Sequence, residues 1–253
     1  MSSQDVGQWL TAHAVALHAV GDRLSFRRTC DVALRELVEH QALLAVIGKV
    51  VNDRVSILSA INCGVPDALV TEAMGGSDLA DRPLVRLWLQ RREPLFVDEA
   101  FALAHASAAE RAEIARYGLG CLAIHGVVDT SGSSGSYFSF SGVPPSRAAD
   151  TVRRLELLVP HLHVALLRVW RVDCGAWAHR TTPRERDLLQ CLHAGMNNPE
   201  IAFKSGRSQA TIRNQLHHLM GKLEVGSRLA LVARAAELGL LDEGLRGGTG
   251  AGG

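Results

Sequence analysis

Three side chains in the C-terminal quarter of the chain have the chemistry to read the edge of a base pair: Arg213, Asn214 and His217. An arginine can donate a bidentate pair to guanine O6 and N7, and an asparagine can pair with adenine N6 and N7. They are interleaved with Ile212, Leu216, Leu219 and Leu223, which fall at i, i+4, i+7 and i+11. That spacing predicts a helix with an apolar stripe toward a core and the three polar residues on the opposite side. Lys204, Arg207, Gln209, Thr211, Gln215 and Lys222 lie around them and can hold phosphates, which fixes register without reading sequence.

The elements that must carry these residues have unusually complete start signals. Thr182-Pro183-Arg184-Glu185 is a capping box with proline at the first helical position, so a helix is expected from there to about Ala194. Asn198-Pro199 is expected to cap a second helix ending near Ser205-Gly206. Ser208 caps a third, to about Leu223, and Ser227 a fourth that stops at Gly239. Only Gly206-Arg207 separates the second and third, the short connection of a helix-turn-helix, whose second helix enters the major groove. Charge agrees: residues 180–240 carry a net +4 and residues 1–179 a net −2, so the positive charge is gathered on this segment.

No other group of residues is arranged for chemistry. The five cysteines, Cys30, Cys63, Cys121, Cys174 and Cys191, are widely spaced without a CxxC pair, as expected of reduced thiols in a cytoplasmic protein. His161 and His163 sit two apart on a predicted helix, about 200° around it, and cannot share a ligand. His217 and His218 lack acidic or cysteine partners at ligand spacing. No metal, no cofactor and no catalytic residue is expected. The glycine- and serine-rich stretch 129–136 lacks the lysine and helix start of a phosphate-binding loop and reads as a hairpin connection.

At 253 residues, 47% hydrophobic and 21% charged, the chain has room for two modest globular domains. No Lys or Arg precedes Arg23, which excludes the basic start of a signal peptide, and no apolar run reaches a membrane span, so no membrane partner is expected. Residues 4–41 read as two helices separated by Gly21-Asp22. Ala42–Val50 and Arg54–Ile61 read as a hairpin about Asn52-Asp53. Helices are expected over Val65–Met74, Pro83–Arg92 and Ala108–Tyr117, with a second strand pair over Gly120–Val128 and Tyr137–Ser141. A long amphipathic helix follows from Arg147 to about Trp170. The fold class is therefore α+β: an N-terminal α-β-α sandwich on an antiparallel sheet, followed by four short helices. The expected divisions are 1–171, a linker over 172–180, a helical domain over 181–241 and a flexible tail over 242–253.

Thr182-Pro-Arg-Glu-Arg186, Asn198-Pro-Glu-Ile-Ala202, Ser208-Gln-Ala-Thr-Ile-Arg-Asn214, Lys222-Leu-Glu-Val225, Arg228 and Ala236-Glu-Leu-Gly-Leu240 closely resemble the LuxR-type helix-turn-helix domain. The resemblance implies that the helix after Ser208 reads double-stranded DNA and that the helix from Ser227 to Leu238 pairs two chains, so a homodimer would read a two-fold-related operator. Gln215 stands where the family usually has histidine, and Phe203-Lys204 where it usually has an acidic or small residue.

In such proteins the other domain sets the input. A phosphoryl receiver needs an acidic pair, a strand-end aspartate and a lysine; residues 1–170 hold one lysine, Lys49, and no such arrangement. The order strand, strand, helix, Asp81-Arg-Pro-Leu84, helix, Arg92-Glu-Pro-Leu95 resembles GAF-like, autoinducer-binding domains. Val65–Met74 nevertheless lacks the aromatic pair that holds a lactone headgroup there, and Trp88 reads as core. Ala123-Ile-His-Gly126, Ser136-Tyr-Phe-Ser-Phe140, Leu155-Glu-Leu-Leu-Val-Pro-His-Leu-His163 and Arg168-Val169 resemble the EpsA-type LuxR regulators, which implies control of exopolysaccharide or related surface genes. A small-molecule ligand and RNA polymerase stand as further candidate partners. An enzyme in residues 1–170 would need a nucleophile beside its base, and neither Cys63, Cys121 nor His125 has one locally.

Overall fold

The computed structural model describes residues 7–8, 11, 17–74, 76–130, 132–223 and 225–241. Most of the first expected helix and the tail over 242–253 lie outside the described residues. The chain divides into two compact units, Met1–Val172 and Asp173–Gly253.

The first unit is built on one six-stranded sheet of order β3-β2-β1-β6-β5-β4, every paired neighbour antiparallel. Helix α1 (Arg23–Thr29) starts at Asp22, whose carboxylate accepts from the Ser25 amide in a capping box. It continues through a π-helical segment, Cys30–Leu34, into a last turn, Arg35–Leu37. Strands β1 (Ala42–Val51) and β2 (Arg54–Cys63) form the expected hairpin. Its two-residue turn puts Asn52 and Asp53 at φ 50° and 58°, the left-handed pair that a tight hairpin needs and that Asn and Asp tolerate. Then follow α2 (Asp67–Met74), β3 (Ser77–Asp78), α3 (Pro83–Arg91), β4 (Leu95–Val97), α4 (Glu99–His105), α5 (Ala108–Arg116), β5 (Leu122–Val128) and β6 (Ser134–Ser141).

Alternation along the strands splits the interior into two layers. Leu43, Ala45 and Ile47 of β1 and Phe138 and Phe140 of β6 join α1 and the long helix α6 (Ala148–Arg180), which contributes Leu155, Leu158, Leu162 and Leu166. The opposite face carries α2, α3, α4 and α5, with Leu69, Leu84, Trp88 and Ile124 at its centre. This is the antiparallel α-β-α sandwich anticipated from the sequence.

Three features differ from expectation. Strands β3 and β4 were not foreseen, since two or three residues cannot display a period of two, and neither was the seven-residue helix α4. Strand β6 begins at Ser134, which shortens the glycine- and serine-rich connection. The long helix was expected to stop at Trp170 and to give way to a linker over 172–180, but it runs to Arg180. No proline intervenes between Pro160 and Pro183, and Cys174 is buried, so nothing in that stretch terminates the helix.

The second unit holds α7 (Pro183–His193), α8 (Asn198–Ser205), α9 (Gln209–Lys222) and α10 (Arg228–Glu237). Its core gathers Leu188, Leu189, Leu192, Ile201, Leu231 and the stripe from α9.

Candidate nucleic-acid interface and a cavity in the first unit

Each helix of the second unit is started by a capping side chain. Thr182 Oγ1 accepts from the Glu185 amide at 3.2 Å, and Glu185 Oε2 accepts from the Thr182 amide at 2.7 Å. The same reciprocal box caps α8, but on Asn197 and not on Asn198. Asn197 Oδ1 accepts from the Glu200 amide at 3.0 Å, and the Glu200 carboxylate accepts from the Asn197 amide at 2.7 Å. The correction has a simple cause: the box requires the glutamate three residues on, and Glu200 has that spacing only to Asn197. Gly206 at φ 65° ends α8 in the left-handed conformation, Arg207 N donates to Ala202 O at 2.9 Å, and Ser208 Oγ accepts from the Thr211 amide at 3.1 Å to open α9.

Helix α9 buries Ile212, Leu216, Leu219 and Leu223. Arg213, Asn214 and His217 are exposed, within an arc of about 100° on the opposite side, and their side chains have no hydrogen-bond or ion-pair partner among the described residues. A guanidinium, an amide and an imidazole thus stand together with their donors and acceptors unused. Lys204, Gln209 and Thr211 are exposed, while Arg207 and Gln215 are half-buried. Lys222 is committed elsewhere. Its ammonium lies 2.9 and 2.8 Å from the two carboxylate oxygens of Glu185 and pins the end of α9 to the start of α7. Burial alone would raise the Glu185 carboxyl, but hydrogen bonds from Lys222 and Thr182 outweigh it and hold it below the usual carboxylate range. Arg228 at the start of α10 donates to Asn198 Oδ1 at 2.9 Å and to the Met196 carbonyl. Phe203 on α8 and Leu229 on α10 are 92% and 82% exposed.

The first unit holds a cavity of about 190 Å³ between the sheet and helices α2, α3 and α5. Its walls are mainly aliphatic, among them Val46, Val55 and Ile57 from the sheet and Leu69, Leu84 and Ile114 from the helices. Trp88 lies over Gly126, where a Cβ would come within 2.7 Å of the ring, and meets Tyr137 edge-on at 5.2 Å. Trp88 is therefore more than core filling, since it also lines the cavity. Its indole N–H donates to His125 Nδ1 at 3.3 Å, and burial pushes the His125 pKa down to about 4.

One corner of the cavity is polar. Arg82 Nη1 donates to both carboxylate oxygens of Glu113, at 2.9 and 2.8 Å. Glu110 accepts from the Leu84 amide at 3.2 Å and from the Ser107 amide at 3.0 Å, and burial raises its carboxyl. The Tyr137 phenol borders the same space; burial and the nearby Glu110 push its ionisation upward. These four residues were not singled out from the sequence. Arg82 and Tyr137 entered the sequence reading only inside longer phrases, and Glu110 and Glu113 not at all.

His163 Nδ1 lies 2.8 Å from Ser136 Oγ, while His161 is exposed on another side of α6. Among the described residues no three His, Cys, Asp or Glu side chains converge on a metal position, and no helix is long and apolar enough to cross a membrane.

Residues 180–235 match the model of the luxR family of bacterial regulatory proteins, a family of regulators and not of enzymes. The transcriptional regulatory protein DesR of Bacillus subtilis is 33% identical over 67 residues, covering 26% of this chain and 34% of DesR. The nitrate/nitrite response regulator NarL of Escherichia coli is 32% identical over 82 residues, covering 32% of this chain and 38% of NarL. The chain thus spans little more than a third of either relative. Among solved structures, Escherichia coli SdiA in complex with octanoyl-rac-glycerol superposes with a TM-score of 0.51 at 18% identity, covering 95% of this chain and 98% of that one. That likeness is one of fold. The capped helices, the exposed polar face of α9 and the family match agree, and residues 180–235 are a DNA-binding helix-turn-helix domain of the luxR family.

Proposed function

We propose that the whole chain is a sequence-specific regulator of transcription that acts in the cytoplasm as a homodimer, with α9 in the major groove. The observation that carries this reading is the unpartnered Arg213, Asn214 and His217 on the outer side of α9. Lys204, Arg207, Gln209, Thr211 and Gln215 border that face and would clamp the phosphates. Lys222 supports the face indirectly through Glu185. Leu229, exposed on α10, supports pairing of two chains along that helix, with RNA polymerase as the downstream partner. Exopolysaccharide or related surface genes are the proposed targets, on the strength of the EpsA-like phrases between Leu122 and Trp170. The test is selection of preferred duplexes from a random pool by the full chain, repeated with Arg213→Ala. The variant should lose about 1–3 kcal/mol on the preferred site and relax the choice of base there; an unchanged affinity and preference would contradict the docking.

A second reading concerns the input. The cavity of about 190 Å³, walled by aliphatic side chains and polar in one corner, supports a small-molecule sensor in the first unit.

A further inference from the structure

We infer that Cys30 and Cys63 form a modification site, a thiol pair that a small peroxide converts to a disulfide and a thiol reductant restores. Local geometry brings the two sulfurs together. Helix α1 runs alongside the end of β2, because Arg23 donates to the Ala60 carbonyl at 2.6 Å and to Ser59 Oγ at 3.0 Å. From that anchor the helix advances to Cys30, about 10 Å at 1.5 Å per residue, and the strand advances from Ala60 to Cys63, again about 10 Å. The two side chains meet in the layer between the sheet and α6, 1% and 5% exposed, and the Cys30 thiol hydrogen-bonds to the Cys63 sulfur. Sulfurs already in contact can be bridged without pulling the backbone far. Cys30 also stands at the entry to the π-helical segment, a wider turn of the kind found most often at functional sites.

The two sulfurs are not equivalent. The hydrogen bond from Cys30 holds the Cys63 thiol below its ordinary value, helped by Arg27 and Arg35 against burial and Asp31, whereas burial pushes the Cys30 thiol up. Cys63 is thus the nucleophile and Cys30 the resolving thiol. The Cys63 thiolate attacks one peroxide oxygen; the O–O bond breaks, a sulfenic acid forms, and the departing hydroxide takes the proton that Cys63 released and leaves as water. The Cys30 sulfur then attacks the Cys63 sulfur. The S–S bond forms, the S–O bond breaks, and the Cys30 proton leaves with that hydroxide as a second water, so the two electrons lost by the sulfur pair reduce one peroxide. Burial chooses the oxidant: a neutral molecule little larger than water can reach these sulfurs, and a bulky, charged disulfide such as oxidised glutathione cannot. Exposure alone would point instead to half-buried Cys121, but burial and Asp98 raise that thiol. Among the described residues no third His, Cys, Asp or Glu joins the pair in a metal site.

Mass-spectrometric mapping of the folded full chain after exposure to hydrogen peroxide, with free thiols alkylated before digestion, tests the site. The wild-type chain should yield a peptide pair joined through Cys30 and Cys63, two hydrogens lighter than the reduced pair, and dithiothreitol should abolish it. Oxidised glutathione at the same concentration should form that link at least about ten-fold more slowly. Cys30→Ala should stop at a sulfenic acid on Cys63 that dimedone traps, whereas Cys63→Ala should leave Cys30 a free thiol. The wild-type map needs neither variant, so the test stands should one of them fail to fold. Oxidation of Cys121 while Cys30 and Cys63 both stay reduced, or a disulfide between any other two cysteines, would overturn the site. A sulfenic acid on Cys30 in the Cys63→Ala chain would overturn the assigned roles, and equal rates with the two oxidants would overturn the choice of oxidant.

Discussion

The two units solve opposite problems with polar side chains. In the second unit the side chains that matter point outward from α9, unpartnered and exposed, over a stripe of four buried residues. In the first they point inward, at the edge of a cavity that the sheet and three helices leave unfilled. An outward-facing set can be judged from one helix, because period and exposure are both local. An inward-facing set depends on where distant segments meet, and its energetics are those of burial.

The sharpest way to break this contrast is to disrupt one interior and watch the other. Leu219→Ala removes a fully buried side chain beneath the reading face and should cost the second unit about 2–5 kcal/mol. Urea unfolding should show that loss in one unit with the sheet unit unaffected; a loss shared by both would mean that they unfold as one.

Acid should separate them next. His125 is held neutral, its pKa lowered to about 4 by burial, so below its ordinary value the unfolded chain binds a proton that the folded one does not. The contribution of His125 to the first unit's stability is complete above about pH 6.5 and should fall by on the order of 2 kcal/mol as pH drops toward 4. His125→Gln should flatten that slope. Glu185, held below the usual carboxylate range, contributes to the second unit in full above the ordinary carboxylate value, and that contribution is lost as pH falls from there through its own lowered value.

The cavity predicts an asymmetry between neighbouring positions of β1. Leu43→Phe, into the packed layer against α6, should cost about 1–3 kcal/mol, whereas Val46→Phe grows into empty space and should cost less than about 1 kcal/mol. Equal costs would mean that the space is not there. The smallest effect expected is that of Lys222→Gln. Its partly exposed pair with Glu185 should contribute less than about 1 kcal/mol to stability, and the salt dependence of DNA binding should not change. Lys204→Ala should reduce that salt slope by about one.

How much could be read from the sequence follows the same division. Helix periodicity announced the face of α9, and the Thr182 capping box and the Ser208 cap announced where α7 and α9 begin, because these signals lie within a few residues. The start of α8 was misplaced by one residue between two adjacent asparagines, although Glu200 marked the right one. The hairpin turn was legible in Asn52-Asp53. What could not be read were meetings at a distance. Arg82 and Glu113 are 31 residues apart and Lys222 and Glu185 are 37 apart, and no local period links either pair. Trp88 is core as read, but its packing on Gly126 and its place beside the cavity depend on strand register and not on neighbours in sequence.

The central claim, that the outer face of α9 grips a duplex, is tested most directly by a salt series. Affinity of the full chain for a promoter duplex is measured from about 50 to 200 mM salt, since each phosphate neutralised contributes a slope of about −0.9 to log affinity against log salt. The account predicts a steep negative slope and, at every salt concentration, weaker and less selective binding by Arg213→Ala. A flat line, or no binding to duplex at the lowest ionic strength, would contradict it.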